Sequence, residues 1–300
     1  MKLQDALYEQ KFEIMFLRAK GDEFQTFFER LMGLAYKADF MACRPWGNIG
    51  DRKNDGFLKS DRRLFQVYAP NEMDAAKAIS KIKEDFDGAK EHWGRYFDKW
   101  VFVHNARDGM PPHVHELLLN FEVLNSGITL EPWGFEELRQ IFRKISLDDK
   151  IAWLGYVPDE ETMVQLGFKE IQVVLSSLEC KAEPSSSSVK AVPPGKIEAN
   201  DLSESVSTFI KSGMKKSPLV SEFLETWHDE TFGERLAISF RNKYNDLRRT
   251  MHPNEIFHEL QTWVGGKQLG TPEHQMAVLT VLAYYFERCD IFEEPRYPIQ

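Results

Sequence analysis

Apolar residues recur at helical spacing early in the chain, where Phe24, Phe27, Phe28, Leu31, Leu34 and Ala35 fall on one face of a 3.6-residue period. Asp22 stands just ahead of this stripe, where a side-chain cap is expected. The period then shortens to two. Phe40 to Arg44 reads as a short strand, Trp46 to Gly50 as a glycine-rich turn, Gly56 to Lys59 as a second strand, and Leu64 to Ala69 (LFQVYA) as a stronger third. Three strands in succession predict a meander.

Pro70 ends the third strand, and Asn71, with Asp74 three residues on, is the expected N-cap of a helix over Glu72 to about Trp93. Trp100 to His104 (WVFVH) reads as a buried strand. Pro111 to Leu124 follows as a helix with proline at its start, then Ile128 to Leu130 as a short strand and Phe135 to Ile145 as a helix. The order α, β, β, β, α, β, then α, β, α predicts an α/β fold.

From Lys181 to Asn200 (KAEPSSSSVKAVPPGKIEAN), proline, serine, glycine and charge replace every apolar period, as in a linker. Beyond it, helical spacing covers Leu202 to Lys211, Leu219 to Trp227, Gly233 to Arg249, Glu255 to Val264 and Pro272 to Cys289. The expected organisation is an α/β domain over 1–180, a linker over 181–200 and an all-α domain over 201–300.

At 300 residues, with 42% hydrophobic and 28% charged positions, the chain is long and apolar enough for two packed cores, which excludes a disordered or disulfide-stapled scaffold. The net charge of −9 repels a phosphate backbone overall, so any nucleic-acid contact must be local. Residues 44–107 carry 13 Lys and Arg against 10 Asp and Glu, a local excess of +3. Three cysteines far apart, with no CxxC pair, point to a reducing cytoplasm. The amino-terminal segment lacks the continuous apolar run of a secretory signal. The most apolar run, Ala277 to Phe286, is about half of the ~20 residues a bilayer span requires, so no membrane association is expected.

The stretch GNIGDRKNDGFLKSDRRLFQVYAP holds the most pointed chemistry. Asp55 opens one strand and Gln66 lies on the next, so an antiparallel pairing presents a carboxylate and an amide oxygen at a common edge, with the Val67 carbonyl nearby. That donor set suits Mg²⁺ or Mn²⁺, which takes oxygen ligands, activates water and neutralises charge on a phosphodiester. Asn-Asp-Gly is equally an ordinary hairpin turn, and the two readings of Asp55 stand about level. His113, His115 and Glu116 (HVHE) look metal-like, but positions i and i+2 point to different faces of a helix. Neither a Walker A loop nor a GxSxG elbow is present, which argues against a P-loop ATPase and an α/β hydrolase.

Over roughly Glu23 to Asn105, these residues and this element order resemble the PD-(D/E)XK nuclease superfamily, and within it the Mrr-like restriction nucleases. Gly50, Asp51, Asp55 and Gly56 fit the family's glycine and Asp-Gly pattern, although Asp51 reads more simply as a turn-former. Gln66 fits the first position of its (E/Q)xK strand. The resemblance implies a metal-dependent endonuclease acting on double-stranded DNA, with Glu29 on the first helix as a further acidic ligand. Tyr68 occupies the slot of the family's catalytic lysine, and an uncharged phenol cannot replace an ammonium. Some members carry that lysine on the following helix, where Lys77 and Lys81 stand one turn apart here.

A second resemblance is carried by FQVYAPNE, by FVHNARDGMPPHVHELLLNFEVLNSGITLEPWGFEELRQIF, and by LQTWVGG with AVLTVLAYYFERCDIFEEP. These look like components of ABC three-component defence systems, with a small C-terminal domain. The resemblance implies an SMC- or Rad50-like ABC ATPase and a small middle component as partners, in a Lamassu-like anti-phage complex, with self-association on activation. In such a complex the helical domain tethers and the amino-terminal domain acts. The ridge Val278, Leu279, Leu282, Tyr285 and Phe286 is either core or a partner-docking face. The rival to a nuclease is an inactive nuclease-fold adaptor or DNA-binding scaffold in the same complex; a regulator that never meets nucleic acid is a third reading.

Overall fold

Between residues 21 and 144 the elements follow the order the hydrophobic periods predict. The computed structural model describes residues 1–43, 53–182, 196, 200–266, 270–288 and 291–292. In chain order its elements are α1 (Leu3–Arg18), α2 (Gly21–Tyr36), β1 (Phe40–Ala42), β2 (Gly56–Leu58), β3 (Arg63–Tyr68), α3 (Ala75–Trp93), β4 (Lys99–His104), α4 (Pro112–Leu124), β5 (Thr129–Trp133) and α5 (Phe135–Lys144). There follow α6 (Leu147–Leu154), α7 (Glu160–Gln165), α8 (Phe168–Ser177), α9 (Glu204–Met214), α10 (Ser217–Thr226), α11 (Phe232–Leu247), α12 (Pro253–Gly265) and α13 (Pro272–Glu287).

The strands form one mixed sheet in the order β1-β2-β3-β4-β5. β1, β2 and β3 make the antiparallel meander; β4 and β5 add in parallel, each reached by a helical crossover. Both crossover helices cover the same face. Ala78, Ile82 and Phe86 of α3 and Val114 and Leu118 of α4 pack there with Leu64, Trp100, Phe102 and Leu130. The two-residue period sends Phe65 to the other face, where its ring lies 5.3 Å from Phe28 of α2 and 5.2 Å from Trp133.

Two caps differ from expectation. Asp22 lies inside the first turn of α2, whose N-cap, Lys20, makes no side-chain cap bond. Asp74, not Asn71, caps α3, its carboxylate accepting the Lys77 N–H at 2.8 Å. The helix begins at Ala75, so only Asp74 stands three residues before an unpaired backbone donor.

Helices α1 and α6 to α8 left no clear periodic signature. Leu3, Ala6, Leu7, Tyr8, Phe12, Ile14 and Phe16 of α1 are all buried, and they form no single stripe because the helix serves two cores. One compact unit comprises residues 11–154; the other joins residues 1–10 to everything from 155 onward. Residues 1–10 are tied into the second unit by the Leu3 N–H donating to Glu160 (2.6 Å) and by Gln10 donating to Gln261 (2.8 Å). α7 and α8 also pack on α13. Compact packing thus divides the chain near residue 154, upstream of the proline- and serine-rich stretch. Residues 183–195 and 197–199 of that stretch lie outside the described residues. Among the described residues no helix is long and apolar enough to cross a membrane.

Candidate functional site

Asp55 lies immediately before β2, at a bend: its N–H donates to the Phe65 carbonyl at 2.9 Å and its carbonyl accepts the Cys43 N–H. β2 starts at Gly56, opposite Phe65, so no strand carbonyl faces the Val67 N–H. The Asp55 carboxylate supplies the missing acceptor through Oδ2 at 2.7 Å. Asn54 adds a local bond at the entrance to β2, its Oδ1 accepting the Gly56 N–H at 3.0 Å. Glycine at 56 answers to packing: a Cβ there would stand 2.6 Å from Cζ of Phe40.

Gln66 follows Phe65 on β3 and so neighbours Asp55 across the strand pair. Leu64 packs in the cluster under α3 and α4, and alternation along β3 puts Gln66 on that same face. Asp55 and Gln66 are both 4% exposed. Gln66 Oε1 is buried with no donor among the described residues, although a buried amide oxygen ordinarily accepts at least one hydrogen bond. The ring of Tyr68, in the lysine slot, lies 5.7 Å from that of Phe102 and packs against the core cluster.

The positive charge comes from α3 and from the segment ahead of Asp55. Lys81 Nζ lies 2.9 Å from Oδ1 of Asp85, and Lys53 Nζ lies 3.0 Å from that same oxygen while also pairing with Glu84. Burial would lower the Lys53 ammonium's pKa, but the bonds to Glu84 and Asp85 raise it above lysine's ordinary range, so it stays charged. Lys53 lies two residues before Asp55 in the chain and shares the Asp85 oxygen with Lys81 of α3. Lys77 is exposed. Asp85 was not singled out from the sequence, although its spacing of four from Lys81 was a readable signal.

The remaining sequence candidates fall elsewhere. Glu29 accepts a bond from Gln25 at 3.1 Å on α2, the layer that covers the Phe65 face, opposite α3. Gly50 and Asp51 lie outside the described residues. His113, His115 and Glu116 are exposed on α4. Among the described residues no three His, Cys, Asp or Glu side chains gather where they could hold a metal, so a cation at Asp55 must take ligands of other types.

In the second unit α13 is buried on every side from Met276 to Phe286, with α9 running close against it. Tyr285 stacks on Phe240 at 4.4 Å, and Phe209 on Phe257 at 5.9 Å. Residues 169–293 match C-terminal domain 10 of the ABC-three component systems. No curated protein and no solved structure matches the chain. The match begins inside α8, upstream of the expected 201–300 boundary, in keeping with the packing of α8 on α13. Within the matched segment the core reading of the ridge holds: Val278, Leu279, Leu282, Tyr285 and Phe286 are all buried. The all-round apolar composition of α13 reflects a central helix, not a surface for partners.

Proposed function

We propose that this chain is the effector of an anti-phage ABC-three component system, its C-terminal domain joining it to an SMC- or Rad50-like ABC ATPase and a small middle component, as in Lamassu-like complexes. The amino-terminal unit is then a metal-dependent endonuclease of PD-(D/E)XK type acting on double-stranded DNA. The observation that carries this reading is the buried Oε1 of Gln66, which has no donor among the described residues and belongs to the β3 residue flanked by the two that Asp55 bonds, Phe65 and Val67. An amide oxygen left so would be costly unless a cation occupied the place.

Asp55, Gln66 and the Val67 carbonyl are the residues that would hold Mg²⁺ or Mn²⁺. When bound, such an ion lowers the pKa of a coordinated water and neutralises charge on a phosphodiester. Lys81 takes the part of the absent motif lysine, since it, and not the exposed Lys77, joins Lys53 on the buried Asp85 carboxylate. Local positive excess over residues 44–107 provides the approach for DNA on a chain that is acidic overall.

Tyr68 supports a second reading. Its ring is committed to the core, and both Lys53 and Lys81 are already matched by acids, as in an inactive nuclease fold that serves as an adaptor or DNA-binding scaffold. Plasmid cleavage by the reconstituted complex in Mg²⁺ or Mn²⁺ separates the two. The nuclease reading expects cutting by wild type and by Lys77→Ala, and loss of cutting in Asp55→Ala and Lys81→Ala. Equal cutting by wild type and Asp55→Ala overturns the site. Silence from every form, with phage protection intact, establishes the adaptor.

A further inference from the structure

Asp85 is a fully buried carboxylate on α3, 0% exposed, yet it is only half used. Its Oδ1 takes both Lys53 and Lys81, while Oδ2, equally buried, has no donor among the described residues. A carboxylate oxygen left without hydrogen bond or ion in the interior is expensive, more so than a neutral acceptor. A purely structural ion pair would have no reason to concentrate both ammoniums on one oxygen and leave the other bare.

A second bare acceptor, Gln66 Oε1, belongs to the same layer. Gln66 points to the face of the sheet that α3 covers, and Lys53 links Asp85 to the segment that leads directly into Asp55. The sheet edge and the facing side of α3 thus contribute two carboxylates and one amide oxygen, with two of the three groups holding an unmatched lone-pair direction. An oxygen-only set of mixed charge is the kind that hard divalent cations accept while retaining waters.

We infer that Asp85 is the second carboxylate of the divalent-cation site, binding through Oδ2, with Lys53 and Lys81 as positioning residues that hold it through Oδ1. The inference rests on the reading of Asp55 and Gln66 as that site and adds to it a ligand from the crossover helix. It also explains the paired lysines, which orient a buried carboxylate before the metal arrives.

Titration of the full-length chain with Mn²⁺ alone, followed by calorimetry, tests it. Wild type is expected to bind, and Asp85→Asn to weaken binding at least about tenfold, as Asp55→Asn does, a loss typical of changes in a metal's ligand shells. Binding lost in Asp55→Asn but kept in Asp85→Asn overturns the role of Asp85 and leaves the Asp55 site standing. Binding absent in wild type, or unaffected by either change, overturns both. Should Asp85→Asn fail to fold, wild type labelled at the aspartate carboxyl carbons answers the same question. The Asp85 signal, identified by its shift in Lys81→Gln, is expected to broaden with Mn²⁺ together with that of Asp55. Broadening of Asp55 alone assigns Asp85 to structure only.

Discussion

The Asp55 carboxylate and the Val67 N–H meet at 2.7 Å at the point where β2 has not yet begun and β3 would otherwise expose a buried donor. One side chain therefore ends the β2–β3 ladder and sits beside the candidate site, so its substitution has a stability effect as well as a functional one. Asp55→Ala removes the acceptor for that N–H and is expected to cost about 1–3 kcal/mol, whereas Asp55→Asn keeps an acceptor and should cost clearly less. Urea unfolding of the two variants checks this; equal losses would show that the bond contributes nothing of its own.

His104 ends β4, 3% exposed, with Nδ1 lacking a partner among the described residues. Burial, first, and the nearby His115 push its pKa down to about 4 from 6.5, against an opposing pull from Glu137. The unfolded chain takes up a proton near pH 6.5 that the folded chain refuses until about pH 4, so stability falls as pH drops through that window and levels off below it. The full loss is about 3 kcal/mol by linkage. Replacement by a group that does not titrate, as in His104→Asn, should flatten the pH dependence of unfolding between pH 6.5 and 4, and an unchanged slope would contradict the assignment.

Gly213 lets α9 lie against α13. A Cβ at this position would stand 2.7 Å from both the Leu279 carbonyl oxygen and the Cβ of Ala283, and neither can swing aside. Gly213→Ala is expected to destabilise the C-terminal domain by about 1–3 kcal/mol despite alanine's better helix propensity, visible as a lowered Tm. A raised Tm would mean that the two helices separate without cost.

Leu282, at the centre of α13, is fully buried. Leu282→Ala should cost about 2–5 kcal/mol through lost burial and the cavity left behind. If the residue served instead on an exposed docking face, thermal unfolding would hardly change and only capture of the partner components would fall.

Much of the amino-terminal unit was legible because each signal was local. Phe24, Phe27, Phe28 and Leu31 announce α2, and the alternation through Leu64, Gln66 and Tyr68 announces β3, without reference to anything distant. The meeting of Asp55 with the stretch of β3 around Gln66 followed from two adjoining strands of a meander, where chain order and spatial order coincide. Helix α1 was missed for the converse reason: with Phe12 and Phe16 in one core and Leu3 and Leu7 in the other, its buried positions form no stripe.

From the chain alone come the order of helices and strands, the central apolar helix near the end and the meeting of Asp55 with β3 around Gln66, since these depend on periods of 2 and 3.6 residues and on adjacent strands. Folding in three dimensions added the union of residues 1–10 with those beyond 154, and the meeting of Lys53 and Lys81 on Asp85. Those contacts join positions far apart along the backbone, and no local period records which distant group a buried side chain will satisfy.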